Sequence, residues 1–131
     1  METAEAAWRW ARAWERAWRE QDVAAVETLY AEGASFRSHP FRELEAPGEF
    51  ASSAFDSEKP GADVRFADPF VAADGRACVE WWAITRDRDG NDVTLAGVSL
   101  LQFDDDGLVA DEHDYWAEEG SRRGPFAGWG S

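Results

Sequence analysis

Apolar residues near the start of the chain recur with the spacing of a helix. Trp10, Trp14 and Trp18 stand at every fourth position of segment 4–20, which is rich in Ala, Arg and Glu. This pattern predicts an amphipathic helix, with Thr3 as its N-cap. Small Ala residues beside the Trp stripe would let the helix lie close to a sheet. The indoles then either fill the core or line a cavity.

A second, shorter helix is predicted directly after the first. Asp22 is a favourable N-cap for a helix from Val23 to about Ala31, and Gly33 is typical of the position just after a helix end. A short strand, Ala34 to Ser38, follows and stops at His39, because a residue before proline avoids the helical region. A weak third helix covers Glu49 to Phe55.

Strand patterns dominate the second half of the chain. A strand that holds Val64 and Phe66 and could reach Phe70 comes first. Three longer strands follow: Arg76–Arg86, Val93–Phe103 and Leu108–Trp116. Asp-Gly dipeptides precede all three, and such dipeptides favour hairpin turns, so these strands are predicted to form an antiparallel meander.

The residues of Arg76–Arg86 alternate between two faces. The more apolar set is assigned to the inside and consists of Ala77, Val79, Trp81, Ala83 and Thr85. Helices followed by a strongly curved sheet give the α+β class. The 131 residues fit one domain, 1–131, with a Gly-rich tail at 118–131 that is ordered only if it packs back on the domain.

Charge and composition narrow the functional classes. The net charge is −14 and no cluster of Lys or Arg is visible, so neither nucleic acid nor an anionic membrane surface is an expected partner. The single cysteine, Cys78, excludes an intramolecular disulfide. No long apolar run and no signal peptide are visible, and a cytoplasmic location is the expectation.

An acidic residue among apolar and aromatic neighbours is the strongest candidate for chemistry. Asp114 lies on the last predicted strand, and Glu112 and Trp116 share its face. A carboxylate among rings loses solvation, its pKa rises, and it can then exchange a proton near neutral pH. The alternatives are that Glu112 leans to the rim and that Asp114 is only a buried, hydrogen-bonded acid. Eight Trp in the chain make an aromatic pocket around these acids plausible.

The two histidines and the acidic turn are weaker candidates for functional sites. His39 is either a second proton-transfer group or an ordinary histidine in a surface loop. His113 has the opposite parity to Asp114 along the strand, so it is expected to face solvent or a dimer partner. The turn Asp104–Gly107 lacks the ligand positions of a calcium loop, because Gln102 and His113 would occupy the first and last of them. No metal site and no cofactor motif are predicted.

The order of elements resembles the SnoaL-like branch of the NTF2-like superfamily over roughly residues 5–130. The resemblance is carried by the Trp-rich first helix, Asp22 opening the second, and the segments ASFRSHPF, VEWW, VTLAGVSLLQFDDDG and HDYW. It implies a cone in which a curved mixed sheet wraps round a pocket closed by helices. Relatives include polyketide cyclases, limonene-epoxide hydrolase and ketosteroid isomerase, and homodimers are common among them.

Only Asp114 carries over as a candidate catalytic residue from this resemblance. The run HDYWA is similar to RDYFD of limonene-epoxide hydrolases, and Asp114 then takes the position of a catalytic acid. The Arg and Asp that those enzymes need on an earlier strand are replaced by Trp81 and Ala83, so their triad is absent. The tyrosine and aspartate pair of ketosteroid isomerases cannot be placed.

The sequence therefore supports two functions. The first is a cofactor-free protein that binds or transforms a small, largely apolar, cyclic or aromatic molecule by acid/base chemistry. Asp114 and His39 are its candidate catalytic residues; the candidate substrate-binding residues are Trp14, Trp18, Tyr30, Trp81, Glu112 and Trp116. The second is a non-catalytic ligand-binding or dimeric scaffold module of the same fold.

Overall fold

A computed structural model describes residues 1–131 and shows three helices against one curved mixed sheet. The helices are α1 (Thr3–Glu20), α2 (Val23–Glu27) and α3 (Pro47–Asp56). The strands are β1 (Tyr30–Arg37), β2 (Asp63–Phe66), β3 (Phe70–Val71), β4 (Arg76–Arg86), β5 (Asp92–Phe103) and β6 (Val109–Glu119). The strand order is β1-β6-β5-β4-β2, and β3 pairs separately with β4. The α+β class is thereby confirmed.

The meander β4-β5-β6 carries most of the sheet. Its strands pair antiparallel, and Gly90 and Gly107 of the Asp-Gly turns between them have φ angles of 86° and 78°, which glycine adopts without strain. Strand β1 instead pairs parallel with β6, so the last strand of the chain lies between β1 and β5. None of the helices is both long and apolar enough to span a membrane.

Helix α1 packs its Ala and Trp stripe onto the inner face of the sheet. Ala7, Ala11 and Ala17 are fully buried, and Trp10 and Trp14 are nearly so. Small side chains here allow a close approach of the helix to the strands. The prediction that Thr3 caps this helix is wrong: Thr3 is the first helical residue, and the preceding Glu2 makes no side-chain capping bond.

The end of α2 is also placed differently from the prediction. Asp22 caps the helix as predicted, since its side chain accepts a hydrogen bond from the amide of Ala25, but the helix ends at Glu27. Gly33 is not at a helix end; it lies inside β1 with a φ angle of 75°. It falls where the register between β1 and β6 shifts, so its left-handed conformation serves a strand irregularity.

Both faces of β4 are covered. The predicted inner residues Ala77, Val79, Trp81, Ala83 and Thr85 are all buried, as expected. On the outer face, Trp82 is only 7% exposed because the C-terminal tail packs on it through Phe126 and Trp129. Phe70 does not extend β2; it belongs to the separate strand β3 and is exposed.

Candidate functional site

A cavity of about 590 Å³ lies between α1, α3 and the inner face of the sheet. Its aromatic wall consists of Trp10, Trp14, Trp18, Phe50, Phe55, Phe66, Trp81 and Trp116. Glu112 and Asp114 also line it, so six of the eight candidate site residues, all except Tyr30 and His39, surround one space. A cavity of this size that is mostly apolar with a few convergent polar groups has the usual form of a small-molecule site.

Tyr30 lies just behind the cavity wall and joins α1 to the acids of β6. Its hydroxyl accepts hydrogen bonds from the indole N–H groups of Trp10 (3.2 Å) and Trp14 (2.9 Å). The same hydroxyl donates to Oε1 of Glu112 at 2.6 Å. The two donors arriving from α1 fix the hydroxyl hydrogen toward Glu112. Tyr30 is therefore a supporting residue beneath the cavity surface.

Glu112 and Asp114 form a coupled pair of buried carboxyl groups. Glu112 is 1% exposed, and burial raises its pKa well above the usual range, with the neighbouring Asp114 charge raising it further. Burial raises the pKa of Asp114 to about 6, although hydrogen bonding by Glu112 and Ser99 acts in the opposite direction. Because the pKa of Glu112 is raised well above its usual range and that of Asp114 only to about 6, the pair favours a proton on Glu112 and a charge on Asp114 near neutral pH.

One oxygen of Asp114 has no hydrogen-bond partner. Asp114 is 7% exposed, and its Oδ1 is buried without a donor. Ser99 lies directly opposite on β5, where its hydroxyl accepts from the indole of Trp81 at 3.1 Å. A buried carboxylate oxygen without a donor is costly unless a ligand supplies one.

A third buried acid, Glu58, lines the cavity away from this pair. It is 7% exposed, its Oε1 accepts from the indole of Trp18 at 2.9 Å, and burial raises its pKa to about 7. Glu58 was not among the residues predicted from the sequence. It lies in the loop after α3 and forms an isolated bridge with Asp87 beyond β4. No local periodicity marks such a position, because the packing of α3 against the sheet alone turns it inward.

His39 and Trp116 lie side by side at the end of β1. Their ring centroids are 4.8 Å apart, and the indole of Trp116 donates to the carbonyl of Ser38 at 2.6 Å. His39 is not in the cavity wall, and its Nδ1 accepts from the amide of Phe41. Arg42 is in the wall, with its guanidinium 5.3 Å from the ring centroid of Trp116. Arg42 thus provides a cationic group near the position considered for His39.

The arrangement of acidic, cysteine and histidine side chains does not favour a metal. No group of three or more His, Cys, Asp or Glu residues is placed so that it could hold an ion. His113 pairs with Asp111 on the outer side of β6, as its parity predicts.

The family is decided by a match to the SnoaL-like domain, which covers residues 11–112. The chain belongs to the SnoaL-like family. The matched region contains most of the fold, from α1 to Glu112 in β6, and it confirms the SnoaL-like resemblance seen in the sequence. A search of curated protein sequences gives no match.

Solved structures support the cone fold of this SnoaL-like domain. The epoxide hydrolase/cyclase-like enzyme SalBIII, which has a role in pyran ring formation in the polyether salinomycin, is 16% identical. Its TM-score is 0.72, over 88% of this chain and 90% of the other. An NTF2-like protein from Exiguobacterium sp. 255-15 is 11% identical, with a TM-score of 0.69 over 86% and 98% of the two chains. The Δ5-3-ketosteroid isomerase from Mycobacterium sp. is 16% identical, with a TM-score of 0.66 over 89% and 95%. At these identities the likeness establishes the fold, and function is argued from the site.

Proposed function

We propose that this SnoaL-like domain is a cofactor-free enzyme that binds a small, largely apolar, cyclic or aromatic molecule and moves a proton on it. Asp114 is the general base, and Glu112 holds the neighbouring proton. The Trp-lined wall supplies most of the contact area for rings. The similar structures include a cyclase-like enzyme, an LEH-like epoxide hydrolase from M. tuberculosis and a ketosteroid isomerase, and this set of enzymes on one fold supports the proposal.

The unpartnered Oδ1 of Asp114 carries this proposal. A purely structural carboxylate would have both oxygens satisfied by protein donors, whereas Oδ1 of Asp114 is buried without one. A ligand O–H, N–H or acidified C–H that reaches Oδ1 would supply the missing donor. The same atom can then accept that proton and return it at another position of the ligand, so that the protein ends each cycle unchanged.

The ionisation of the pair suits this role. With its pKa at about 6, Asp114 is mainly a carboxylate at neutral pH, whereas Glu112 remains protonated because its pKa lies well above the usual range. The Glu112 proton stabilises the Asp114 charge without neutralising it. Tyr30 and the two Trp donors behind it keep Glu112 in place.

The test is the variant Asp114→Asn, which keeps the size of the side chain but removes the acceptor that takes the proton. With a substrate found by thermal-shift screening of cyclic compounds, binding is retained and turnover falls by about 10²–10⁴-fold. Glu32→Gln is the matched control, since it makes the same carboxylate-to-amide change at a residue that is exposed and does not line the cavity. Unchanged turnover in Asp114→Asn would contradict the assignment. Ligand binding with no turnover in the native protein would instead favour the non-catalytic module.

We also propose that two copies associate through the outer face of the sheet. Leu100 of β5 and Tyr115 of β6 are apolar side chains that are 42% and 47% exposed there. Exposed apolar residues on one face of a sheet are typical of protein interfaces. Sedimentation equilibrium tests this, and a native monomer at micromolar concentration would contradict it.

A further inference from the structure

The charges around the cavity are unbalanced. Three buried acids line it, Glu58, Glu112 and Asp114, and Arg42 is the one basic residue in its wall. Arg42 lies over Trp116, and the structure shows no ion pair between it and any of these acids. Buried carboxyl groups in proteins are usually paired with a cation or donor, so this wall lacks a positive partner.

Glu58 shows the imbalance most clearly. Its side chain makes one hydrogen bond, from the indole of Trp18, and takes part in no ion pair. The arginines of the two neighbouring elements are engaged elsewhere: Arg19 pairs with Glu15, and Arg86 pairs with Asp92. Asp87, which bridges to Glu58 through the backbone, adds a second acid and no cation. When Glu58 is ionised, its negative charge therefore faces the cavity without a neutralising cation from the protein.

The surroundings of Glu58 are aromatic. The ring centroid of Trp18 lies 5.6 Å from that of Trp81 and 6.3 Å from that of Trp14, and all three indoles line the cavity. Indole faces attract cations through their quadrupole, and this attraction is strongest where water is excluded. A buried carboxylate beside several indoles is therefore a favourable site for an organic ammonium group.

The acids occupy two places along the cavity. Asp114 lies opposite Ser99, whose hydroxyl accepts from Trp81, and Trp81 packs against Trp18, which donates to Glu58. Two indoles therefore separate the reacting carboxylate from Glu58. One rigid cyclic molecule could contact both ends at once, with its rings against the indoles between them.

We propose that the ligand of this cavity is a protonated cyclic amine whose ammonium group binds Glu58 against the indole of Trp18. This assignment depends on the cavity being the ligand site, as the proposed function holds, and it adds the charge class of the ligand. Asp114 faces the other end of the same molecule. Glu58 is then a specificity residue that selects a cation over a neutral or anionic compound of the same shape.

Binding measurements with three compounds of one shape test the assignment without any need for turnover. Adamantylamine, adamantanol and adamantanecarboxylate differ mainly in charge, and calorimetric titration of the native protein gives their dissociation constants. The amine binds about tenfold or more tightly than the alcohol, in keeping with a charged hydrogen bond, and the carboxylate binds weakest. The variant Glu58→Gln loses the preference for the amine but keeps binding of the alcohol, and Glu32→Gln behaves like the native protein.

Repeating the amine titration at several pH values separates a direct role from a structural one. With the pKa of Glu58 at about 7, its ionised fraction rises between pH 6 and pH 8 while the amine stays protonated. Amine binding therefore tightens over this interval in the native protein. In Glu58→Gln the increase between pH 7 and pH 8 is largely lost, because Asp114, the other acid with a pKa in this range, has a pKa of about 6 and is already mostly ionised at pH 7.

Three results would overturn the proposal. Equal binding of amine and alcohol by the native protein removes the charge selectivity, although the cavity remains a site. A preference for the amine that persists in Glu58→Gln, with the variant shown to be folded by its thermal transition, places the cation elsewhere. Failure of all three compounds to bind removes the cavity's role as a ligand site and this assignment with it, whereas loss of turnover alone in Asp114→Asn does not affect it.

Discussion

Tyr30 and Glu112, which are 82 positions apart in the chain, are joined by a 2.6 Å hydrogen bond between β1 and β6. The bond connects the first helix to the acidic side of the cavity. On one side are the indoles of Trp10 and Trp14, and on the other is the pair of carboxyl groups that faces the cavity. The orientation of the acids is therefore set by the first helix.

Replacing Tyr30 by Phe tests the importance of this bond for stability. The change leaves two indole N–H groups and Glu112 without their common partner, and each unsatisfied buried group is unfavourable. We expect the free energy of unfolding to fall by about 2–4 kcal/mol. Urea denaturation at neutral pH measures it. Tyr115→Phe is the matched control, because Tyr115 is 47% exposed and its hydroxyl makes no hydrogen bond. Equal effects of the two changes would contradict the importance of the Tyr30 network.

The raised pKa of Glu58 predicts how stability depends on pH. Its pKa is 4.5 when exposed and about 7 in the folded protein, so folding favours the protonated form. The stabilisation is fully present below pH 4.5 and is lost as the pH rises through about 7. This loss amounts to about 3 kcal/mol. Glu58→Gln, which cannot ionise, should be more stable than the native protein at pH 8 by a similar amount and nearly equal to it at pH 4.

The measurement is urea denaturation at a series of pH values. Glu32→Gln makes the same change of charge at an exposed position and controls for the relief of general repulsion in a chain of net charge −14. A difference between Glu58→Gln and the native protein that does not vary with pH would show that burial of the carboxylate is not its cause.

Gly97 is predicted to be intolerant of a side chain. A Cβ at this position would lie 2.5 Å from the carbonyl oxygen of Tyr115 and 2.9 Å from Cζ2 of Trp81. Relief of these contacts requires movement of the β6 backbone and of a ring in the cavity wall. Gly97→Ala should lower the free energy of unfolding by about 2 kcal/mol. Thermal unfolding measures it, with Gly120→Ala as the control, since a Cβ at Gly120 meets no atom within 4 Å. A loss no greater than that of the control would contradict the close approach.

Trp82 should hold the C-terminal tail on the sheet. Its indole donates to the carbonyl of Arg123 at 2.8 Å, and its ring packs against Phe126 and Trp129. Trp82→Ala removes these contacts, so trypsin should cleave at Arg123 at least several times faster than in the native protein. Mass spectrometry of a digestion time course detects the cleavage. Trp8→Ala removes an exposed indole and should leave the rate unchanged; an unchanged rate in Trp82→Ala would mean that other contacts hold the tail.

The sequence predicts most of the sheet because its signals there are local. Strand β4 has the predicted bounds, and its turns contain Asp-Gly dipeptides whose conformation depends on only a few residues. Asp114 and Glu112 share a face because side chains alternate along a strand. These features need no knowledge of distant contacts.

What the sequence does not predict depends on distant contacts. Tyr30 was assigned to the second helix, but it begins β1, because parallel pairing with β6 draws the segment around Gly33 into the sheet. The burial of Glu58 follows from the packing of the loop after α3 beside β4. In both cases a contact with a residue many positions away determines the local structure, and the sequence pattern of the segment itself does not predict that contact.

The parallel pairing of β1 with β6 has a consequence for biosynthesis. Ser35 pairs with Asp111 and Phe36 with Glu112, so the first strand has no neighbour on that side until the last strand has left the ribosome. The Trp-rich helix is synthesised early, and its indoles remain exposed while about three quarters of the chain is made. Contacts between such remote segments slow folding and leave apolar surface open to other molecules. The pair Glu112 and Asp114 can therefore take its place beside Tyr30 only after β6 has been synthesised, and a nascent chain stalled before β6 is expected to expose the apolar face of the first helix.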